Sequence, residues 1–406
     1  MAAHTKALDV RFHDGRLVGR LLHNGPVYFV YDKGWLASGF DISPLSLPFS
    51  EKPFNCQAEG CEGVPGVITD ALPDAWGRKI AVAVFAKEGW GRPTTMKLLS
   101  WIGARGAGAL SFEPPSGQQD ALTGKITAAS LVREARAVLR GDPKAIIPAL
   151  ASGGTAGGAY PKALVMAHAD GSLSLARRPV AKGDVPSLLK LSIAPNLNAA
   201  AIEHACGLMA RAAGIDKAES KLIEDKDGRA HLLIRRFDFD VAGRRRHMHS
   251  LSGLLHRPKA GLDYADFFRA VARLSTRNDL IEAARRMVFN LYAGNDDDHG
   301  RNHAFLYDED AGRWMLSPAF DITHVPGALT RGMTILNEVR PEWEKVSAWL
   351  STAGMSAREI SSMRNKVRDA VANWEKHARA AGVSPKDAGR ITDVLADLKR
   401  AIDGKA

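Results

Sequence analysis

Gly294-Asn295-Asp296-Asp297-Asp298-His299-Gly300-Arg301-Asn302, followed by Pro318-Ala319-Phe320-Asp321-Ile322, is the part of this chain whose reading decides the fold. Three adjacent acids repel one another in a folded loop, so they persist where a cation, a proton transfer or solvent takes up the charge. An Asp, an Asn five residues on and a second Asp after a short hydrophobic stretch form the minimal kit for phosphoryl transfer from Mg-ATP. One acid orients the attacking hydroxyl, and the Asn and later Asp hold Mg²⁺ on the phosphates. On that pattern Asp297 is the base, and Asn302 and Asp321 are the metal ligands. Asn302 to Tyr307 reads as a strand and Arg313 to Leu316 as its hairpin partner, with Asp308 to Gly312 as the turn, so Asn302 and Asp321 flank one hairpin. A solvated acidic loop or a structural Ca²⁺ loop competes with this reading, but the Ca²⁺ pattern lacks its closing glutamate.

At 406 residues the chain has room for two or three core-forming units, and 45% hydrophobic with 25% charged residues is ordinary for a soluble globular protein. Three cysteines (Cys56, Cys61, Cys206) are too few for a disulfide framework, and the Cys56/Cys61 pair has no companion Cys or His cluster to complete a zinc site. A reducing, cytoplasmic setting fits best. The first residues lack an apolar signal core and no stretch approaches a membrane span, so no membrane association is expected. A formal net charge of +10 favours polyanionic partners. The basic residues are dispersed, however, and the one dense run, Arg244-Arg245-Arg246, reads as a solvated hairpin turn.

Residues 8 to 45 alternate apolar and polar positions between His13-Asp14-Gly15, Asn24-Gly25 and Asp32-Lys33-Gly34, the pattern of an antiparallel meander. Helical patterning over 64 to 105 and the Pro114 to Gln119 linker complete an N-terminal part, 1–118. A second unit, 119–255, opens with a helix through Leu131 to Leu139. Strand-like pieces follow at Lys162 to Met166, Leu173 to Ala176, Ser187 to Ile193, Ala230 to Phe237 and His247 to Leu251, around one helix, Ala199 to Ala213. Residues 256–406 are mainly helical, including Ala272 to Gly294 and Ser356 to Ala381.

Gly153, Gly154, Gly157 and Gly158, with Thr155 and Ala156 between them, free the backbone to present amides to phosphate oxygens, although a plain surface loop explains the run equally well. It is not the P-loop of NTPases, since no Gly-Lys-Ser/Thr follows. Lys190 is a lone cation in an apolar strand and must meet solvent, a carboxylate or a phosphate. Glu203, early in the next helix, is the carboxylate that could orient it. Gly-rich loop, strand lysine, helix glutamate, a strand leading into a hinge at Arg235 to Phe237, then the Asp/Asn/Asp set: this is the order along a protein-kinase chain.

Together these residues resemble the HipA-like serine/threonine kinases, toxins of bacterial type II toxin-antitoxin modules. The resemblance runs over nearly the whole chain, through Val18 to Leu21, Ser43 to Phe49, Asp70 to Arg78 and Gly106 to Leu110, then the Gly153 to Lys162 loop, Leu189 to Leu191, Arg236 to Asp238, Asn295 to Asn302 and Phe320 to Ile322. It implies an α+β, bilobal protein-kinase-like fold, with an extra N-terminal β-rich subdomain and a C-terminal lobe that is all-helical apart from the hairpin. By position it makes Asp297 the catalytic aspartate, Asn302 and Asp321 the Mg²⁺ ligands and Lys190 the ATP-phosphate lysine. Arg235 and Phe237 become the adenine hinge, and His299 a further nucleotide-site residue. Thr155 stands where the family often has an autophosphorylated serine, and a phosphate there would repel ATP. The implied activity is transfer of the ATP γ-phosphate to a translation protein, with aminoacyl-tRNA synthetases the leading class. The implied partners are a HipB-like helix-turn-helix antitoxin and, through it, operator DNA. A small-molecule kinase on the same fold and a non-catalytic component of a DNA-bound repressor complex are the competing readings.

Overall fold

The computed structural model describes residues 6–116, 125–142, 147–152, 160–175, 180–193, 198–325 and 332–404, the side chains at 148 and 152 excepted. The Gly-rich candidates Gly153, Gly154, Thr155, Ala156, Gly157 and Gly158 lie outside the described residues. The chain divides into two compact units, one of residues 1–195, 223–249 and 253–257, the other of residues 196–222, 250–252 and 258–406.

In the first unit, β1 (Ala7–Arg11), β2 (Leu17–His23), β3 (Val27–Tyr31) and β4 (Ser111–Glu113) form an antiparallel sheet in the order β3-β2-β1-β4. Asp32-Lys33-Gly34, expected as a turn, instead opens α1 (Lys33–Ser38), because the Asp32 carboxylate accepts the Gly34 amide at 2.8 Å. A side chain that mimics a turn also caps a helix, and sequence alone does not separate the two uses. The helical stretch resolves into α2 (Gly66–Thr69), α3 (Ala75–Lys87) and α4 (Thr95–Ile102), with Asp74 and Thr94 as N-caps of the last two.

β5 (Lys125–Ile126) precedes α5 (Ala128–Leu139), which starts at a Thr127/Ser130 capping box, and α6 (Pro148–Ser152). Then come β6 (Lys162–Ala167), β7 (Leu173–Leu175), β8 (Val185–Lys190), β9 (Ser220–Glu224) and β10 (Ala230–Arg235), in a six-stranded sheet of order β5-β7-β6-β8-β10-β9. β9 has no clear alternation and was not expected. One hydrophobic core runs from Leu8, Phe29 and Trp35 through Trp76 and Phe85 to Leu131, Val165 and Leu189. The expected boundary at 118/119 therefore separates two sequence regions that share a core, sealed where Trp76 Nε1 donates to the Lys162 carbonyl at 2.9 Å.

The chain changes unit within β9, at β11 (Met248–Ser250) and within α8 (Leu251–Leu254). The second unit contains α7 (Ala199–Ala212), β12 (Leu262–Asp263), α9 (Tyr264–Leu274), α10 (Arg277–Ala293), β13 (Ala304–Asp308), β14 (Arg313–Leu316), β15 (Met333–Thr334), α11 (Trp343–Thr352), α12 (Ala357–Ala372), α13 (Trp374–Ala380) and α14 (Pro385–Asp403). α7, expected within 119–255, packs instead on α12 and α13. The long helices expected over 272–294 and 356–381 are each broken. Thr276 Oγ1 accepts the Asp279 amide at 3.3 Å to start α10, and Asn373 separates α12 from α13. Among the described residues no helix is long and apolar enough to cross a membrane.

Two expectations for the first unit change. Arg244 is indeed in a surface turn, paired with Asp240, but Arg245 is only 3% exposed and donates to the Ala104 and Gly106 carbonyls at 3.0 and 2.6 Å. Cys56 and Cys61 do have a companion ligand: His256 joins them. The Asp70-to-Arg78 stretch acquires a structural reason as well. Ser43 Oγ donates to His249 Nε2 at 2.9 Å, and His249 Nδ1 donates to Asp70 at 2.7 Å. That sequence of groups has the connectivity of a hydrolytic triad, yet Ser43 and His249 are fully buried, so the chain of bonds is a fastener.

Candidate active site

α10 is the rail that delivers the acidic loop. It ends at Gly294, whose left-handed backbone (φ +65°) donates its amide to the Asn290 carbonyl and turns the chain into Asn295. From there the three aspartates part company. Asp296 and Asp298 are 2% and 1% exposed, whereas Asp297 between them is exposed. Asp296 pairs with Arg340. Asp298 accepts from the Tyr264 hydroxyl and, at 2.7 Å, from His303 Nε2. The Tyr264 oxygen accepts Asn290 Nδ2 at 3.1 Å, and Asn290 Oδ1 accepts Asn295 Nδ2 at 3.2 Å, so the anchor of Asp298 reaches back into α10. Gly332 lies so close beneath the loop that a Cβ there would stand 2.4 Å from the Asp298 carbonyl oxygen. Burying two paired carboxylates and leaving the middle one outward turns a repulsive triplet into one presented acid.

Asn302 lies in a 3₁₀ turn (Gly300–Asn302), so the strand expected from Asn302 begins only at Ala304. Its Nδ2 donates to the Asp297 backbone carbonyl at 3.0 Å, which leaves the Oδ1 acceptor for another group. The partner strand β14 has the expected extent, and Phe305 of β13 stands opposite its Leu316. In its turn the Asp308 carboxylate accepts the Asp310 and Ala311 amides. The chain then returns past α10: Arg286 donates to the Ser317 carbonyl at 2.8 Å, and Asn295 bridges Val325. Asn302, Phe320 and Ile322 line one small cavity together with Asp298 and His303, which brings the neighbours of Asp321 to Asn302. Asp321 itself holds a left-handed backbone (φ +52°), uncommon for a residue with a Cβ and frequent at functional sites. Burial pushes the His299 imidazole below its ordinary range, opposed by the charges of Asp297 and Asp298, so at neutral pH it is the uncharged neighbour of the presented acid.

The remaining candidates belong to the first unit. Lys190 ends β8, opposite Lys162 on β6 and Leu232 on β10. Arg235 is the exposed last residue of β10, opposite Ser187, and Phe237 is half-buried after it. The segment is held by Arg236, which the sequence reading treated only as part of the hinge. Its guanidinium donates twice to the buried Asp238, at 2.9 and 2.6 Å, and Asp238 also accepts the Gly108 amide at 2.8 Å. Glu203 is buried on α7 in the second unit, near Cys206, whose thiol is pushed up first by its own burial and then by the Glu203 charge. Tyr264, Asn290, His303 and Arg340 are the anchors that sequence reasoning missed, since each is an unremarkable polar residue until the fold sets it beside an aspartate or, for Asn290, beside Tyr264 and Asn295.

Comparison with known proteins bears on the family and the fold. Residues 8–113 match the HipA N-terminal domain and residues 154–396 the HipA-like C-terminal domain. The Sinorhizobium fredii protein Y4mE, by its name a proposed kinase, is 27% identical over 336 residues, which cover 76% of this chain and 75% of that protein. The Shewanella oneidensis HipA, solved with HipB and operator DNA, superposes with a TM-score of 0.71 at 17% identity, covering 97% of this chain and 96% of that one. The Helicobacter pylori kinase CtkA reaches 0.39 at 14% identity over 57% of this chain and 90% of that one, too low to bear on the fold. With both family domains present in one polypeptide and the fold matched along its length, the chain belongs to the HipA family.

Proposed function

We propose that the chain is a HipA-type toxin kinase that transfers the γ-phosphate of Mg-ATP to a serine or threonine of a cytoplasmic translation protein, with aminoacyl-tRNA synthetases the leading class. The observation that carries the reading is the single outward carboxylate of Asp297, held between two buried and anchored aspartates. In this role Asp297 accepts the proton of the attacking hydroxyl, and its neighbours keep it from swinging inward. Asn302 Oδ1 and the Asp321 carboxylate are hard oxygen donors of the kind Mg²⁺ takes, and the cavity at Asn302, Phe320 and Ile322 fits that assignment. Mg²⁺ held there would offset phosphate charge. By the family pattern Lys190 is assigned to the ATP phosphates, Arg235 and Phe237 to the adenine, and the amides of Gly153, Gly154, Thr155, Ala156, Gly157 and Gly158 to the phosphates. Phosphate on Thr155 would oppose ATP binding by charge and so serve as an off-switch.

A HipB-like helix-turn-helix antitoxin is the proposed neutralising partner, on the model of the Shewanella complex, with operator DNA reached through it. The net charge of +10 suits that assembly. The test is label transfer from γ-labelled ATP in a translation extract. The expected result is one labelled protein, lost in Asn302→Ala and Asp321→Ala and restored by neither Ca²⁺ nor Zn²⁺. Label passing to a sugar or aminoglycoside while no protein is labelled would instead establish a small-molecule kinase.

A further inference from the structure

Among the described residues one group of metal-ligating side chains stands apart from the acidic loop: Cys56, Cys61 and His256, each offering a ligand atom within 4.8 Å of the other two. All three belong to the first unit. Neither cysteine is in a disulfide, and both are buried. His256 Nε2 is buried with no hydrogen-bond partner among the described residues, a costly state for an imidazole nitrogen. The backbone is shaped around the group on both sides. Cys61 sits in a tight turn, its amide donating to the Ala58 carbonyl at 3.2 Å and its carbonyl accepting Thr69 Oγ1 at 2.8 Å. On the other side His256 holds a left-handed backbone (φ +49°), its amide donating to the Gly253 carbonyl and its ring 5.6 Å from that of Phe54.

We propose that Cys56, Cys61 and His256 form a zinc site that ties the turn at 56–61 to the segment at 253–256, with water or an external ligand in the fourth position. Two thiolates and an imidazole select a thiophilic, borderline-soft cation and disfavour Mg²⁺ or Ca²⁺, so the site is chemically distinct from the one proposed at Asn302 and Asp321. Tetrahedral zinc with bonds of about 2.3 Å to sulfur and about 2.0 Å to nitrogen sets its ligands roughly 3.5 to 3.8 Å apart, so closure draws the three atoms together by at most about 1.3 Å. Binding displaces two thiol protons, and the thiolates supply the electron pairs for the metal bonds with no change of oxidation state. The sequence conceals the site because the third ligand lies far along the chain from the cysteine pair.

The test uses the full chain, purified without chelator from zinc-supplemented cells and measured by elemental analysis. About one zinc per chain is expected in the parent and in Asp321→Ala, and less than about a fifth of that in Cys56→Ser, Cys61→Ser and His256→Ala. Should a variant fail to fold, Co²⁺ titration of the metal-stripped parent decides: thiolate-to-cobalt charge-transfer absorption in the near ultraviolet supports the site. A parent that takes up no Co²⁺ while both thiols react with Ellman's reagent, a Cys56–Cys61 disulfide found by peptide mass, or zinc fully retained in Cys56→Ser would each overturn it.

Discussion

Replacing Tyr264 by Phe removes one oxygen and tests how the acidic loop is held. Asp298 is 1% exposed and takes two side-chain donors, the Tyr264 hydroxyl and His303 Nε2. Loss of a hydrogen bond to a buried charge costs about 1.5 to 3 kcal/mol, and Asn290 Nδ2 loses its acceptor as well, adding about 1 kcal/mol. The expected total is about 3 kcal/mol, or roughly 6 to 12 °C in melting temperature if the second unit melts cooperatively. The apolar ring stays, so packing against Phe267 is retained and the loss is polar in origin. A double-mutant cycle with Asp298→Asn, followed by urea unfolding, isolates the pair and should give a coupling of about 2 kcal/mol. The same variant should lower kcat more than the affinity for nucleotide, since the loop that presents Asp297 loosens. Coupling below about 0.5 kcal/mol would refute the claim that Tyr264 anchors Asp298.

Acidification should destabilise the fold through His247, whose pKa burial pushes down to about 3. Below its unfolded value near 6.5 the unfolded chain binds the proton and the folded chain does not, so stability falls by about 2 kcal/mol from pH 7 to pH 5. Urea melts at the two pH values check this, and His247→Gln should shrink the difference by about that amount. Arg245→Ala, which orphans the Ala104 and Gly106 carbonyls, should cost about 2 to 3 kcal/mol, and Arg244→Ala less than about 0.5 kcal/mol; equal effects would return the whole run to a solvated turn. Gly332→Ala should displace the acidic loop, because the new Cβ meets the backbone oxygen of Asp298. Phosphoryl transfer by that variant should fall at least about tenfold in a label-transfer assay.

What could be read directly from the sequence was local chemistry. The Asp308-to-Gly312 turn and the partner strand Arg313 to Leu316 each act within a few residues of themselves, and the structure has them as read. Misreadings arose where one side chain serves two local purposes, as with Asp32, or where a distant partner decides. Nothing near Asp296 or Asp298 reveals Arg340 or Tyr264, so the division of the triplet into buried and presented acids is a tertiary fact. Arg245 and the Cys56/Cys61 pair were misjudged for the same reason. The placement of α7 against α12 and α13 was equally hidden, since an amphipathic helix does not announce which surface it covers.

The central claim is that Asp297 is the presented base of a phosphoryl-transfer site. It is tested most directly by single-turnover transfer from γ-labelled ATP in the parent and in Asp297→Asn, with nucleotide affinity measured on the same preparations. The account predicts a fall in rate of about 10² to 10⁴ with affinity changed less than about threefold. Transfer at the parental rate by Asp297→Asn would contradict it.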